Sequence, residues 1–226
     1  MNNDAMKRSR MKFDAVLFDC DGVLVDSEPI TNRVLREMLG ELGWQLTPQE
    51  CMVHFVGRAL KEELPMIAAN TGCHVDTEWL TQFQQRRNTA LMEQLTPIPN
   101  IHDAVHRIHA HQGARIACAS GADRIKVEMQ LRKVGLMDYF EGRIFSGYET
   151  PRSKPSPDVY LAAADALQVD PKRCAVVEDT VIGITAGVAA GAVVFGYLPH
   201  GDGAALRDAG AVALFADMAE LPQLIV

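Results

Sequence analysis

The stretch AVLFDCDGVLVDSE, residues 15–28, decides how this chain folds. Its four leading apolar residues, Ala15-Val16-Leu17-Phe18, have the unbroken apolar character of a strand covered on both faces. Two carboxylates, Asp19 and Asp21, follow at once around Cys20. Such a run has ended either in an ordinary polar turn or in a reactive pair delivered to a site. If both aspartates face a site, the alternation of a strand turns Cys20 the other way, into packing.

Downstream, short apolar runs alternate with helical stretches. Strands are expected over residues 115–119, 143–145, 174–177, 192–195 and 212–214, with helices over 124–133, 157–167 and 181–190. Continuous apolar strands separated by helices indicate a doubly wound (Rossmann-like) α/β core with a parallel sheet, and residues 15–18 are its first strand. Residues 28–96 break the rhythm. Helices are expected over 29–42, 47–55, 60–70 and 78–93, the second opened by a capping-box pattern, Thr47-Pro48-Gln49-Glu50. Nearly 70 residues exceed what one crossover needs. The expected division is therefore a core of residues 1–27 and 97–226 and an inserted α-helical domain of 28–96, with hinges at Glu28–Pro29 and at residues 96–99.

Composition bounds the function. The 226 residues are 48% hydrophobic and 23% charged, ordinary for a globular protein. A net charge of −7 argues against a nucleic-acid partner, which needs clustered Lys and Arg, while leaving room for a small anion in a local basic pocket. The five cysteines are scattered, odd in number and form no CxxC pair, as expected of reduced thiols in a cytoplasmic protein. The leader MNNDAMKRSRMK is polar and basic without an apolar segment behind it, so it reads as a disordered start rather than a signal peptide. No run approaches the ~18 apolar residues of a membrane span. The expected form is a monomer or weak homo-oligomer.

Ligands of an open parallel sheet bind beyond the carboxyl ends of its strands. Those ends carry Asp19-Cys20-Asp21-Gly22, then Ser120-Gly121, then Lys154-Pro155 ahead of a helix, then Glu178-Asp179-Thr180. Each motif alone is weak; the ordered set is strong. It resembles the haloacid dehalogenase superfamily, and the helical block resembles the cap domain of its β-phosphoglucomutase-like branch; Phe145-Ser146-Gly147-Tyr148-Glu149, leading into Lys154, is similar to the sugar-phosphate and phosphogluconate phosphatases of that branch. The resemblance runs from Phe13 to about Leu214.

Chemistry accounts for the residue types independently. A carboxylate can attack a phosphate monoester when a metal and a cation neutralise the site, and water then opens the aspartyl-phosphate. Asp19 is the candidate nucleophile, and Asp21 the candidate acid and base. Gly22 lets the backbone turn sharply beside the phosphate. Mg²⁺ takes oxygen ligands, which Asp19 and Asp179 would supply; by resemblance the Asp21 carbonyl completes the protein's share. Glu178 would stand behind the metal or pair with Lys154. Ser120, with nearby backbone N–H groups around Gly121, would bind a phosphoryl oxygen, and Lys154 would neutralise charge between Asp19 and the phosphoryl group. Val23 to Val25 would begin a flap beside the site. In the loop Gly57-Arg58-Ala59-Leu60-Lys61, by resemblance reaching over the substrate, Arg58 or Lys61 would either grip a second anionic group or be surface charge.

Other features read blandly. His102, His106 and His109 have metal-ligand spacing but flank an amphipathic helix, and Gly183, Gly187 and Gly191 allow a helix to pack closely on the sheet. The expected activity is Mg²⁺-dependent hydrolysis of a small phosphate ester, a sugar phosphate or sugar-acid phosphate. A phosphosugar mutase is the alternative, disfavoured because Thr31 stands where β-phosphoglucomutases carry a histidine. A catalytically silent binder of phosphorylated metabolites would have lost Asp19 or Asp21. Dehalogenation needs neither Asp21 nor a metal, and phosphonate hydrolysis would need a cap lysine forming an imine, for which Lys61 is not clearly placed.

Overall fold

The computed structural model describes residues 12–55, 60–113 and 115–225; the leader through Met11, and Gly57 and Arg58, lie outside them. Strand β1 is Ala15–Phe18. Four helices of the 28–96 stretch follow among the described residues: α1 (Glu28–Glu41), α2 (Pro48–Phe55), α3 (Leu60–Thr71) and α4 (Thr77–Gln94). Then come α5 (Ile101–Gln112), β2 (Ile116–Ser120), α6 (Arg124–Lys133), a short α7 (Met137–Phe140) and β3 (Ile144–Ser146). The chain ends in α8 (Asp158–Ala166), β4 (Cys174–Glu178), α9 (Val181–Ala189), β5 (Val193–Tyr197), α10 (Ala204–Asp208), β6 (Ala213–Phe215) and α11 (Leu221–Ile225).

The six strands form one parallel sheet in the order β3-β2-β1-β4-β5-β6. β1 lies at its centre, with Phe18 beside Cys118 on one side and Val177 on the other. This register brings the carboxyl ends of β1, β2 and β4 together. Both faces are covered, which is why the strands read as unbroken apolar runs. Val16 and Phe18 pack with Ile101, Val105, Ile108, Val127 and Leu131 of α5 and α6. Ala15 and Leu17 pack on the other side with Val159, Tyr160, Ala163 and Ile184 of α8 and α9.

The four expected helices of the 28–96 stretch are all present, and the capping box forms as expected: Thr47 N donates to Glu50 Oε2 (2.8 Å) and Glu50 N to Thr47 Oγ1 (3.2 Å). The two chain crossings between this block and the sheet run side by side. Asp26 N donates to Thr96 O (3.0 Å), Ile98 N donates to Leu24 O (3.2 Å), and Val25 bridges Pro97 in antiparallel fashion. Val23, Leu24 and Val25, expected to begin a flap, form a closed turn with fully buried side chains, in which Leu24 N and Val25 N both donate to Cys20 O.

His102, His106 and His109 of α5 serve the fold. His102 Nε2 lies 2.7 Å from Val134 O, His106 Nδ1 lies 3.2 Å from the Tyr139 hydroxyl, and the His109 ring packs edge-on to Tyr139. All five cysteines are free thiols, and Cys20 is fully buried. Among the described residues, no helix is long and apolar enough to cross a membrane.

Candidate active site

A cavity of about 220 Å³ opens over the carboxyl edge of the sheet. Asp19, Asp21, Ser120, Gly121, Lys154 and Glu178 line its floor, while Thr31, Leu35, Phe55, Phe83 and Arg87 of the helical block line the opposite wall. The topology explains the convergence: Asp19 follows β1, Ser120 ends β2, and Glu178 ends β4, three neighbouring strands.

Lys154 arrives from the loop ahead of α8 and is nearly buried, with 7% of its side chain exposed. Its Nζ lies within hydrogen-bond distance of Asp19 Oδ1 (2.6 Å), Glu178 Oε1 (2.7 Å), Ala119 O (3.0 Å) and Tyr160 Oη (2.9 Å), four oxygens around three N–H donors. Burial alone would lower this ammonium's pKa, but Asp19 and Glu178 more than offset it and hold it well above its usual value. Glu178 is fully committed: Oε1 takes Lys154 and the Tyr160 hydroxyl (2.7 Å), and Oε2 takes Asp179 N (3.1 Å) together with Thr180 N and Oγ1. Asp179 is the reverse, for its buried Oδ1 has no hydrogen-bond partner among the described residues.

One oxygen each of Asp19, Glu178 and Asp179 lies within 4.8 Å of the others. Of these three carboxylates, Asp19 and Glu178 pair with the Lys154 ammonium. Burial, with Glu178 and Asp21 adding to it against Lys154, raises Asp19 to about 7. Burial and the neighbouring Glu178 push Asp179 well above the usual carboxylate range. Surplus negative charge, hard oxygen donors and an orphaned Asp179 oxygen fit a divalent cation. The backbone makes room for the Asp179 carboxylate at Gly22, whose φ of +82° suits glycine and where a Cβ would stand 2.0 Å from Asp179 Oδ2.

A family model for haloacid dehalogenase-like hydrolases matches residues 13–191. The chain is a haloacid dehalogenase-like hydrolase. This hydrolase is 29% identical over 215 residues to 6-phosphogluconate phosphatase of Escherichia coli K12, covering 94% of the chain and 95% of the relative. Hexitol phosphatase B of the same organism is 30% identical over 178 residues, 78% of this chain and 79% of that one. Among solved structures, a haloacid dehalogenase family hydrolase from Deinococcus radiodurans R1, described with bound phosphate and sodium, superposes with a TM-score of 0.75 at 33% identity, covering 96% of this hydrolase and 99% of that chain.

The sequence reading missed the surroundings of Asp21. Ser27 Oγ, Lys126 Nζ and Gln130 Nε2 all donate to its carboxylate. Burial would raise Asp21, but Lys126 overcomes it and holds the carboxyl at about 2. Lys126 had left a trace in the sequence, a cation in the first turn of a helix, where the positive end of the macrodipole disfavours it. Tyr160, Gln130 and Arg87 had left none. The buried Arg87 guanidinium reaches from α4 to Asp123 Oδ2 (3.4 Å), the N-cap of α6. Lys61 is not a cavity-lining residue; its ammonium lies 4.4 Å from the centre of the Tyr148 ring, which does line the cavity. The three glycines of the 181–191 region divide their work. Gly187 packs against Val194 and Val176 as expected, Gly191 ends the helix at φ +86°, and Gly183 leaves space for the Glu178 carboxylate.

Proposed function

We propose that this hydrolase is a Mg²⁺-dependent phosphatase of a small phosphorylated metabolite, a sugar phosphate or sugar-acid phosphate, acting in the cytoplasm through an aspartyl-phosphate on Asp19. The observation that carries the reading is the pairing of Asp19 with Lys154, beside Glu178 and Asp179 and in one cavity with Asp21. Phosphatases named for 6-phosphogluconate and hexitol phosphates among the relatives support the substrate class.

Asp19 and Asp179, with the Asp21 carbonyl, would hold the Mg²⁺, which supplies charge neutralisation between two anionic reactants. Asp19 attacks phosphorus, Lys154 offsets the charge on the attacking carboxylate and the transferring group, and Ser120 donates to a phosphoryl oxygen. Asp21 protonates the departing alkoxide and later takes a proton from the attacking water. The arriving phosphate dianion raises the Asp21 carboxyl from its depressed substrate-free value, as like charges do. Gly22 and Gly121 give the phosphoryl group close backbone approach, and Glu178 keeps Lys154 in place. The helical block 28–96 acts as a lid on the core formed by 1–27 and 97–226, with its apolar wall excluding water.

The test is phosphate release from p-nitrophenyl phosphate and from a panel of 6-phosphogluconate, fructose 1-phosphate, hexitol phosphates and nucleotides, with Mg²⁺ or EDTA. Wild type hydrolyses at least one sugar phosphate only with the metal, and Asp19→Asn loses at least about 10³-fold. Undiminished turnover by Asp19→Asn removes the nucleophile assignment. Interconversion of sugar-phosphate isomers that depends on a bisphosphate activator would replace the phosphatase by a mutase.

A further inference from the structure

We propose that one face of α6 positions Asp21: Lys126 and Gln130, joined by Ser27, anchor its carboxylate through Oδ1 and present Oδ2 to the substrate. The inference rests on Asp21 being the acid of the reaction and adds the residues through which it is aimed.

The two oxygens are unequally engaged. Oδ1 accepts from Ser27 Oγ, from Lys126 Nζ (2.8 Å) and from Gln130 Nε2 (2.8 Å). Among the described residues, Oδ2 accepts from Lys126 Nζ alone, at 2.7 Å. A carboxylate oxygen has about two lone-pair directions, so Oδ1 is saturated and Oδ2 keeps one for the substrate. Rotation of the carboxylate about its last bond would disturb its hydrogen bonds to all three donor groups at once.

The anchor is built with care for direction. Lys126 and Gln130 are spaced i, i+4 on α6, so both project from the same face. The Gln130 amide cannot turn over freely, because the Cys20 thiol donates to its Oε1 (3.6 Å) and leaves the NH₂ toward Asp21. Cys20, turned away from the cavity, thereby orients the group that holds its neighbour. Gln130 is fully buried, and only 7% of the Lys126 side chain is exposed. An ammonium at a helix's positive end and out of water is costly unless paired, and apolar side chains would serve stability at least as well. What these two polar residues gain in return is a fixed Asp21. They are positioning residues and need not touch the substrate.

The leaving group reads this role. As the P–O bond breaks, a sugar alkoxide must receive the proton of Asp21, whereas p-nitrophenolate leaves without one. The experiment compares kcat/KM for p-nitrophenyl phosphate with that for the panel sugar phosphate that wild type hydrolyses fastest, in Lys126→Met, Gln130→Met and Asp21→Asn. The parameter kcat/KM covers the steps through departure of the leaving group, and the ratio between substrates is independent of how much of a variant is folded. Lys126→Met is expected to lower the sugar-to-aryl ratio about 30-fold or more and Gln130→Met about 5-fold, each a part of the about 10²–10⁴-fold that proton-transfer catalysis contributes. Equal losses on both substrates overturn the positioning role and make Lys126 a phosphate-binding or merely structural cation. A rise on the sugar phosphate also overturns it, since the contacts would then restrain Asp21. If Asp21→Asn lowers the ratio while the other two leave it unchanged, the positioning fails alone. If the ratio is unchanged in all three, the acid role of Asp21 fails and the inference with it.

Discussion

Replacing Gly183 by alanine should destabilise this protein, against the expectation from helix propensity. Gly183 lies inside α9, where alanine is favoured over glycine by about 1 kcal/mol. A Cβ at this position would stand 1.8 Å from Glu178 Oε1 and 1.9 Å from its carboxyl carbon, so the carboxylate has to leave. The displaced group gives up Lys154 and Tyr160 on one oxygen, and Asp179 N and Thr180 on the other. Breaking a buried pair in this way costs about 3–5 kcal/mol, which leaves a net loss of about 2–4 kcal/mol after the propensity gain. In a chain of this size each kcal/mol moves Tm by about 2–4 °C, so circular-dichroism melts should show a fall of about 4–16 °C. Turnover of p-nitrophenyl phosphate should fall as well, because Lys154 loses its second carboxylate. Gly187→Ala is the control: its Cβ meets Val194 at 2.8 Å and overpacks the sheet, yet leaves Glu178 alone. It should lower Tm while the folded fraction keeps its activity. A Gly183→Ala protein that melts at or above the wild-type temperature would refute the argument.

Two further outcomes follow from the acidic cluster. Gly22→Ala forces a Cβ onto Asp179 and onto a backbone of φ +82°, so calorimetric Mn²⁺ affinity should weaken at least about 10-fold; unchanged affinity would remove Asp179 from the proposed metal site. In EDTA, Asp19, raised to about 7, and Asp179, raised well above the usual carboxylate range, contribute stability that is complete below the unfolded carboxylate value near 4 and is lost as pH rises through their raised values. Asp21, held at about 2, acts oppositely, its contribution disappearing as pH falls from about 4 toward 2. Tm in EDTA should therefore fall on the order of 10 °C from pH 5 to pH 8, and Mg²⁺ should restore most of it at pH 8. A flat profile, or no response to Mg²⁺, would count against the charge surplus.

The sheet and its reactive edge were legible because both are written locally. Asp19, Ser120 and Glu178-Asp179 each sit directly behind an apolar run, so finding the strand also finds the group at its end. Lys154 was legible through its proline-rich approach to a helix. The residues that escaped depend on how helices rotate against the sheet. Tyr160 reads as one more apolar position of α8, and only the packing turns its hydroxyl to Glu178. Gln130 and Arg87 look like surface residues of α6 and α4, yet both are buried. Gly183 was read for helix packing, and the carboxylate it accommodates comes from the preceding strand end, a relation that spacing alone does not reveal.

The paired crossings between the sheet and the helical block constrain how the two can move. Because Leu24–Asp26 and Thr96–Ile98 are hydrogen-bonded to one another, they form a short ribbon, not two loose tethers. Any rigid rotation of the block has to twist that ribbon as a torsion bar. One of its strands begins at the turn in which Gly22 N binds Val25 O, immediately after Asp21. Torque from any such rotation would therefore reach the backbone of Asp21 directly, while Asp19, held on the other side by β4 through Val177 O, would stay with the sheet.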